Sequence, residues 1–204
     1  MSISSPTPLE HAIGVLALQG DFEKHHSHLL QSNMEGVFVR YSEQLQDIDG
    51  LIIPGGESTT IGKLMQQQGL LAPLEKKITD GMPVFGTCAG AIVLADAIEG
   101  SDQLHMRLLD ITVLRNAYGR QIKSFEADIH IPCLGREPFR SVFIRAPVIS
   151  KVGPAVEVLG SFEGSPVLIR QGNMLAATFH PELTRDLRLH AYFIDMITQG
   201  KRHQ

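Results

Sequence analysis

The spacing of apolar residues changes repeatedly along the chain, and each change predicts an element. The run Ala12-Ile13-Gly14-Val15-Leu16-Ala17-Leu18 is apolar at successive positions, the pattern of a strand buried on both faces beneath helices. From Asp21, an N-cap candidate, a helix is predicted to about Asn33. Val37-Phe38-Val39-Arg40 and Leu51-Ile52-Ile53 read as two further short strands. Helices are expected from Ile61 to Gln68, ended by Gly69, and from Ala72 to Thr79. Pro83-Val84-Phe85 then forms a buried strand that turns into the apolar helix Ala91-Ile92-Val93-Leu94-Ala95. This alternation predicts an α/β fold of three layers, a mostly parallel sheet flanked by helices.

The second half reads differently. Strands are predicted at Ile111-Thr112-Val113-Leu114, Ala127 to Ile131, Ser141 to Ile144, Val156 to Leu159 and Val167 to Arg170, and a last strand in the segment from Asn173 runs into His180. Turn-rich segments separate them, with Gly164-Ser165 as a hairpin turn, so an added antiparallel part of the sheet is expected. An amphipathic helix from about Arg185 to Gln199 closes the chain. Residues 1–11, rich in Ser and Pro, are expected to be a flexible leader, and 12–204 a single domain without repeats or linkers.

Composition narrows the function classes. Charged residues are 20% and hydrophobic residues 43% of the 204, and the net charge is −4. Nothing here resembles the basic field of a nucleic-acid binder. No apolar run approaches the roughly 18 residues of a membrane span. The two cysteines, Cys88 and Cys133, lack metal-type spacing and no secretory segment is evident, so a reducing cytoplasm is the expected compartment.

The chemistry concentrates at Gly86-Thr87-Cys88-Ala89-Gly90. A lone cysteine beside an apolar strand is ordinarily a packing residue. Here the spacing is Gly-x-nucleophile-x-Gly, a sharp strand-to-helix turn that presents its central side chain at the top of a sheet. A helix N-terminus there favours a thiolate, and backbone N–H groups can face an oxyanion. The turn needs a base, and Phe179-His180-Pro181-Glu182 supplies one at the end of the last predicted strand. With Pro181 holding the chain extended, His180 and Glu182 would point to the same side and could act as base and orienter.

Two other stretches invite chemical readings. Pro54-Gly55-Gly56-Glu57-Ser58-Thr59-Thr60 follows a strand but does not fit a phosphate loop: Gly62-Lys63 would require glycine where Glu57 stands, and Leu64 where Ser or Thr is needed. It reads instead as a substrate or oxyanion loop beside the elbow. His25 and His28 are three apart and can share a helix face, but no carboxylate or cysteine partner is evident nearby, so His25, His26 and His28 are expected on a solvated face rather than at a metal. Arg115, at a strand end, is a surface charge or a carboxylate-binding residue.

Gly-Thr-Cys-Ala-Gly at residues 86–90 together with Phe-His-Pro-Glu-Leu at 179–183 resembles the class I, triad-type glutamine amidotransferases. Leu18-Gln19-Gly20, Pro54 to Thr60, Asn116 to Gln121, Ser124 to Asp128 and Arg145-Ala146-Pro147 extend that similarity to the glutaminase subunits of pyridoxal 5′-phosphate synthases. The resemblance implies hydrolysis of L-glutamine to glutamate and ammonia through a γ-glutamyl thioester. Cys88 would be the nucleophile, His180 the base and acid, and Glu182 its orienter. Gly55, Gly56, Glu57 and Ser58 would lie along glutamine, with Arg115, Ile144 and Arg145 at its amino-acid end. It further implies no cofactor of the glutaminase's own and a hetero-oligomer with a synthase subunit that receives the ammonia. From the residues alone, another cysteine hydrolase and a non-catalytic interaction subunit remain the alternatives.

Overall fold

The computed structural model describes residues 11–115 and 124–201. Residues 1–10 of the leader expected at 1–11 and the Asn116 to Gln121 segment therefore lie outside the described residues. A seven-stranded sheet runs in the order β10-β11-β12-β4-β3-β1-β2. Its strands are β1 (Ala12–Leu16), β2 (Glu35–Val39), β3 (Gly50–Ile53), β4 (Val84–Thr87), β10 (Glu157–Phe162), β11 (Ser165–Gln171) and β12 (Met174–Ala177). From β12 to β2 every neighbour is parallel, while β10, β11 and β12 form the antiparallel edge. The α/β architecture and its antiparallel addition follow the sequence pattern.

Both faces of the parallel strands are covered, which is why they read as continuous apolar runs. Ile13, Val15, Ile52, Phe85, Leu175 and Ala177 pack on one side with Leu29, Leu189 and Phe193 of α1 (Phe22–Gln31) and α5 (Arg188–Lys201). Leu16, Leu51, Ile53, Val84 and Ala176 pack on the other with Ile61, Met65, Leu74, Ile78 and Val93 of α2 (Ser58–Gln67), α3 (Leu71–Thr79) and α4 (Ala89–Leu94). Strand periodicity of two thus feeds two cores at once.

Two small sheets differ from the sequence reading. The first joins β5 (Ala95–Glu99), β6 (Leu109–Leu114) and β9 (Val148–Val152), and the second pairs β7 (Ser124–Ile129) with β8 (Phe139–Ile144). Strands β5 and β9 carry exposed and charged positions in the patterns Ala-Asp-Ala-Ile-Glu and Val-Ile-Ser-Lys-Val, so no long apolar run announces them; pairing with β6 makes them strands. The hairpin turn is Glu163-Gly164, one residue earlier than Gly164-Ser165, because Phe162 pairs with Ser165 and both turn residues have positive φ, 48° and 79°. Asp21 makes no side-chain cap to α1 and instead lies 3.2 Å from Lys24 Nζ.

The strands β1, β3, β4 and β12 end on the same side of the sheet, and the turns after them converge there. At the β4–α4 junction a Cβ on Gly90 would lie 2.1 Å from the Ile53 carbonyl oxygen. Only glycine lets α4 start this close to β3. Gly90→Ala should therefore cost about 1–3 kcal/mol through forced backbone movement. A thermal melt is expected to show a Tm lowered by several degrees, and an unchanged Tm would refute this account of the junction.

Candidate active site

Cys88 sits at φ 48° and ψ −101°, a region that costs a non-glycine residue on the order of 1–3 kcal/mol. Its N–H donates to the Ala177 carbonyl at 2.8 Å, continuing the β4–β12 pairing one residue beyond the strands. That bond sets the elbow beside the chain leading to His180. His180 is fixed in turn by its own N–H, which donates to the Val142 carbonyl of β8 at 2.8 Å. Cys88 is 5% and His180 8% exposed, so both side chains reach the cleft only at their tips.

His180 Nδ1 lies 2.7 Å from Glu182 Oε1. The chain achieves this differently from the extended arrangement that the Pro181 stiffening suggested. Residues Pro181–Leu183 form a short 3-10 turn, and the carboxylate folds back under the imidazole with Glu182 buried. Burial by itself would lower the affinity of His180 for a proton. Hydrogen bonding to Cys88 and to Glu182 outweighs it and pushes the ring up to about 10, so the imidazole is protonated at neutral pH. Burial also opposes ionisation of Glu182, but the hydrogen bond and charge of His180 help hold its carboxyl below the ordinary carboxylate range.

A cleft of about 660 Å³ opens over this group, lined by Gly55, Gly56, Glu57, Ser58, Arg115, Ile144 and Arg145 along with Cys88 and His180. All the substrate-loop candidates of the sequence thus share one cavity, and Glu182 stands behind it. Gly55 is indispensable in shape: a Cβ there would meet His180 Cε1 at 2.4 Å and Cys88 Cβ at 3.4 Å. The Ile144 carbonyl oxygen lies 3.8 Å from Cys88 Sγ. Arg145, at φ 46°, sits exposed on the rim.

Sequence reasoning missed two polar side chains that hold this cleft. Gln19 Oε1 accepts from the Glu57 N–H at 2.7 Å and props the glycine turn. Gln103 Oε1 accepts from Ser58, Thr59 and Arg115, so it ties the start of α2 to the arginine. Arg115 Nη1 also donates to Thr59 Oγ1 at 3.3 Å. Gln103 lies in 101–108, where neither period appears, so its partners are visible only in three dimensions.

The histidines of α1 correct the solvated-face expectation. His25 is wholly buried and His28 is 5% exposed, while His26 stacks on Phe38 with ring centroids 4.5 Å apart. The signal was present: helical spacing puts His25 with Leu29, a core residue, on one face. No cluster of His, Cys, Asp or Glu suited to a metal occurs among the described residues.

A strained cysteine elbow on a sheet of this order, backed by a strand-end histidine and its carboxylate, is the architecture of a glutamine amidotransferase. A crystal structure of such an enzyme is similar at TM-score 0.88 and 49% identity, covering 91% of this chain and 98% of that one. The chain belongs to the SNO glutamine amidotransferase family, whose model matches residues 15–199. Among curated relatives, the pyridoxal 5′-phosphate synthase subunit PdxT of Moorella thermoacetica is 55% identical over 185 residues, 91% of this chain and 98% of that protein. The subunit of the same name from Pelotomaculum thermopropionicum is 58% identical over 183 residues, 90% and 93% of the two chains.

Burying uncharged histidines makes stability depend on acidity. Desolvation lowers His25 to about 4, against about 6.5 in an unfolded chain. Between those values the unfolded state binds the extra proton, so stability is intact above pH 6.5 and is lost as pH falls toward 4. His25 alone accounts for about 3 kcal/mol of that loss. Urea midpoints measured from pH 7 to pH 4 are expected to fall, and a smaller fall is expected in His25→Leu.

Proposed function

We propose that this protein is the glutaminase of a pyridoxal 5′-phosphate synthase: it hydrolyses L-glutamine and passes the ammonia to a synthase subunit. The observation that carries the reading is the 2.7 Å contact between His180 and Glu182 directly behind the Cys88 elbow. Family membership supports it.

In this reading the Cys88 sulfur attacks the side-chain carbonyl carbon of glutamine as its thiolate, the reactive form of cysteine. The carbonyl π pair moves onto oxygen. Because the Cys88 N–H is occupied by Ala177, the backbone of the Gly55-Gly56 turn is the donor assigned to that oxyanion. As the tetrahedral carbon collapses, its C–N bond breaks and His180 gives its proton to the departing ammonia. A water then loses a proton to His180 and attacks the γ-glutamyl thioester. The C–S bond breaks and glutamate leaves. Glu182 keeps the imidazole oriented and offsets its charge throughout.

Glu57 and Ser58 would lie along the bound substrate, and Arg115 with Ile144 and Arg145 would take its amino-acid end. Gln103, by holding Arg115 and Ser58 together, keeps that end aligned. Ammonia gains value only if it leaves before protonation, which favours a partner docked over the cleft. We assign the activity to residues 12–204 as one domain and place it in the cytoplasm, in keeping with two free cysteines. None of the described helices is long and apolar enough to cross a membrane.

Glutamate release from L-glutamine, measured with and without the synthase subunit, tests the reading. Cys88→Ala is expected to lower kcat by at least about a thousandfold and Glu182→Gln by about a hundredfold or more, with the fold retained by circular dichroism. Substantial turnover by Cys88→Ala would remove the nucleophile from the scheme.

A further inference from the structure

Behind Glu182, on the side away from the cleft, three buried histidines from two helices form a chain. His25 Nδ1 lies 2.9 Å from His190 Nε2, His190 Nδ1 lies 3.1 Å from His28 Nδ1, and His28 Nε2 lies 3.1 Å from the Thr184 carbonyl oxygen. At the other end His25 Nε2 lies 3.2 Å from Thr87 Oγ1 and 3.3 Å from Glu182 Oε2. His25 and His190 are fully buried. Glu182 Oε2 is buried and accepts no hydrogen bond among the described residues.

Proton counting gives this chain a direction. A carbonyl oxygen only accepts, so His28 must carry its proton on Nε2 and offer a lone pair at Nδ1. His190 must then donate from Nδ1 and accept at Nε2, and His25 must donate from Nδ1. Three neutral rings hold three protons, and all three are used by these contacts. His25 Nε2 is left with a lone pair, which Thr87 Oγ–H fills as donor. Four contacts from Thr184 to Glu182 would need a fourth proton.

Resting on the glutaminase reading, we propose that His25, His190 and His28 are positioning residues for the triad. Their fixed polarity withholds a donor from Glu182 Oε2, so that the charge of the carboxylate acts on His180. A proton entering between His25 Nε2 and Oε2 draws Glu182 away and weakens His180 as a base. No bond other than this N–H or O–H is made or broken. The charged groups around the relay are Glu182, His180 and Asp21 near His25, and Glu182 and Asp186 near His28, with the three rings facing one another. Burial lowers all three rings, which keeps the relay neutral in ordinary conditions and the place beside Oε2 open.

Long-range 1H–15N spectra of the imidazoles in the wild-type protein at pH 7 read the polarity directly. Neutral His25 and His190 carrying Nδ1–H, with His28 carrying Nε2–H, is the expected pattern. An Nε2–H tautomer or an imidazolium at His25 overturns the proposal. This measurement needs no substrate, so it stands even if glutamine is not hydrolysed, an outcome that would sink the glutaminase reading instead.

Kinetics of glutamate release with the synthase subunit then test the consequence. His25→Gln places a permanent amide donor against Oε2, whereas His25→Leu places none. Gln is expected to lower kcat about tenfold at unchanged KM and to move the alkaline limb of kcat about one pH unit down, the two being the same change in His180. Leu is expected to cost less in kcat and to leave that limb in place. A purely structural histidine predicts the reverse order, since Gln conserves polarity, and that order would overturn the proposal. Should His25→Leu not fold, an unmoved alkaline limb in His25→Gln against wild type does so.

Discussion

Much of this molecule follows from how closely three strand ends must approach at the Cys88 elbow. The backbone there adopts φ 48° and ψ −101° only because its surroundings leave nothing else. The Cys88 N–H is claimed by Ala177, α4 begins in van der Waals contact with the Ile53 carbonyl, and Gly86 is pressed against Gly90. Strain of this kind persists when the packing over-determines it. The packing in question is the double core of β1, β3, β4 and β12, whose side chains alternate between the two helix layers. Stability stored in those cores is thereby converted into one side chain held at the rim of a cleft.

The same approach brings in the rest of the site. The bond that fixes the elbow to Ala177 also fixes the distance to His180, three residues past the end of β12. His180 is anchored from the other direction by β8, a strand of a separate small sheet that also delivers Ile144 and Arg145 to the rim. The cleft therefore has a rigid floor from the main sheet and a wall built from added pieces. Gln19 ties together two turns of the main sheet, and Gln103 joins the start of α2 to Arg115 beyond β6, which lets glycine-rich turns hold their shape with few side chains of their own.

Electrostatically the site is layered. A protonated His180 lies between the sulfur and Glu182, and a wholly neutral histidine chain lies behind Glu182. The low dielectric of the interior strengthens each contact and makes any unmatched proton costly. One imidazole is therefore raised and three are lowered within a few residues of one carboxylate. The difference lies in partners: His180 touches two groups that favour its cation, while His25, His28 and His190 chiefly touch one another.

The parallel strands, the cysteine turn and the His180-Glu182 pair were all legible along the chain, because each rests on local rules: period, glycine spacing, and two chemically matched residues close in sequence. Even there the backbone from His180 to Glu182 is a 3-10 turn rather than the extended chain its sequence suggests, since side-chain proximity is compatible with both. Strands β5 and β9 were invisible because their stability comes from β6 and not from their own residues. Gln103 and the burial of His25 and His28 were hidden for the same reason: a polar residue declares itself structural only when its partners, here 12 to 165 positions away, are seen beside it. Local chemistry wrote the cysteine elbow and the His180-Glu182 pair into the sequence. Which polar groups surround them, and which of those carry protons, was decided by long-range packing, since burial and hydrogen-bond direction exist only once distant segments meet.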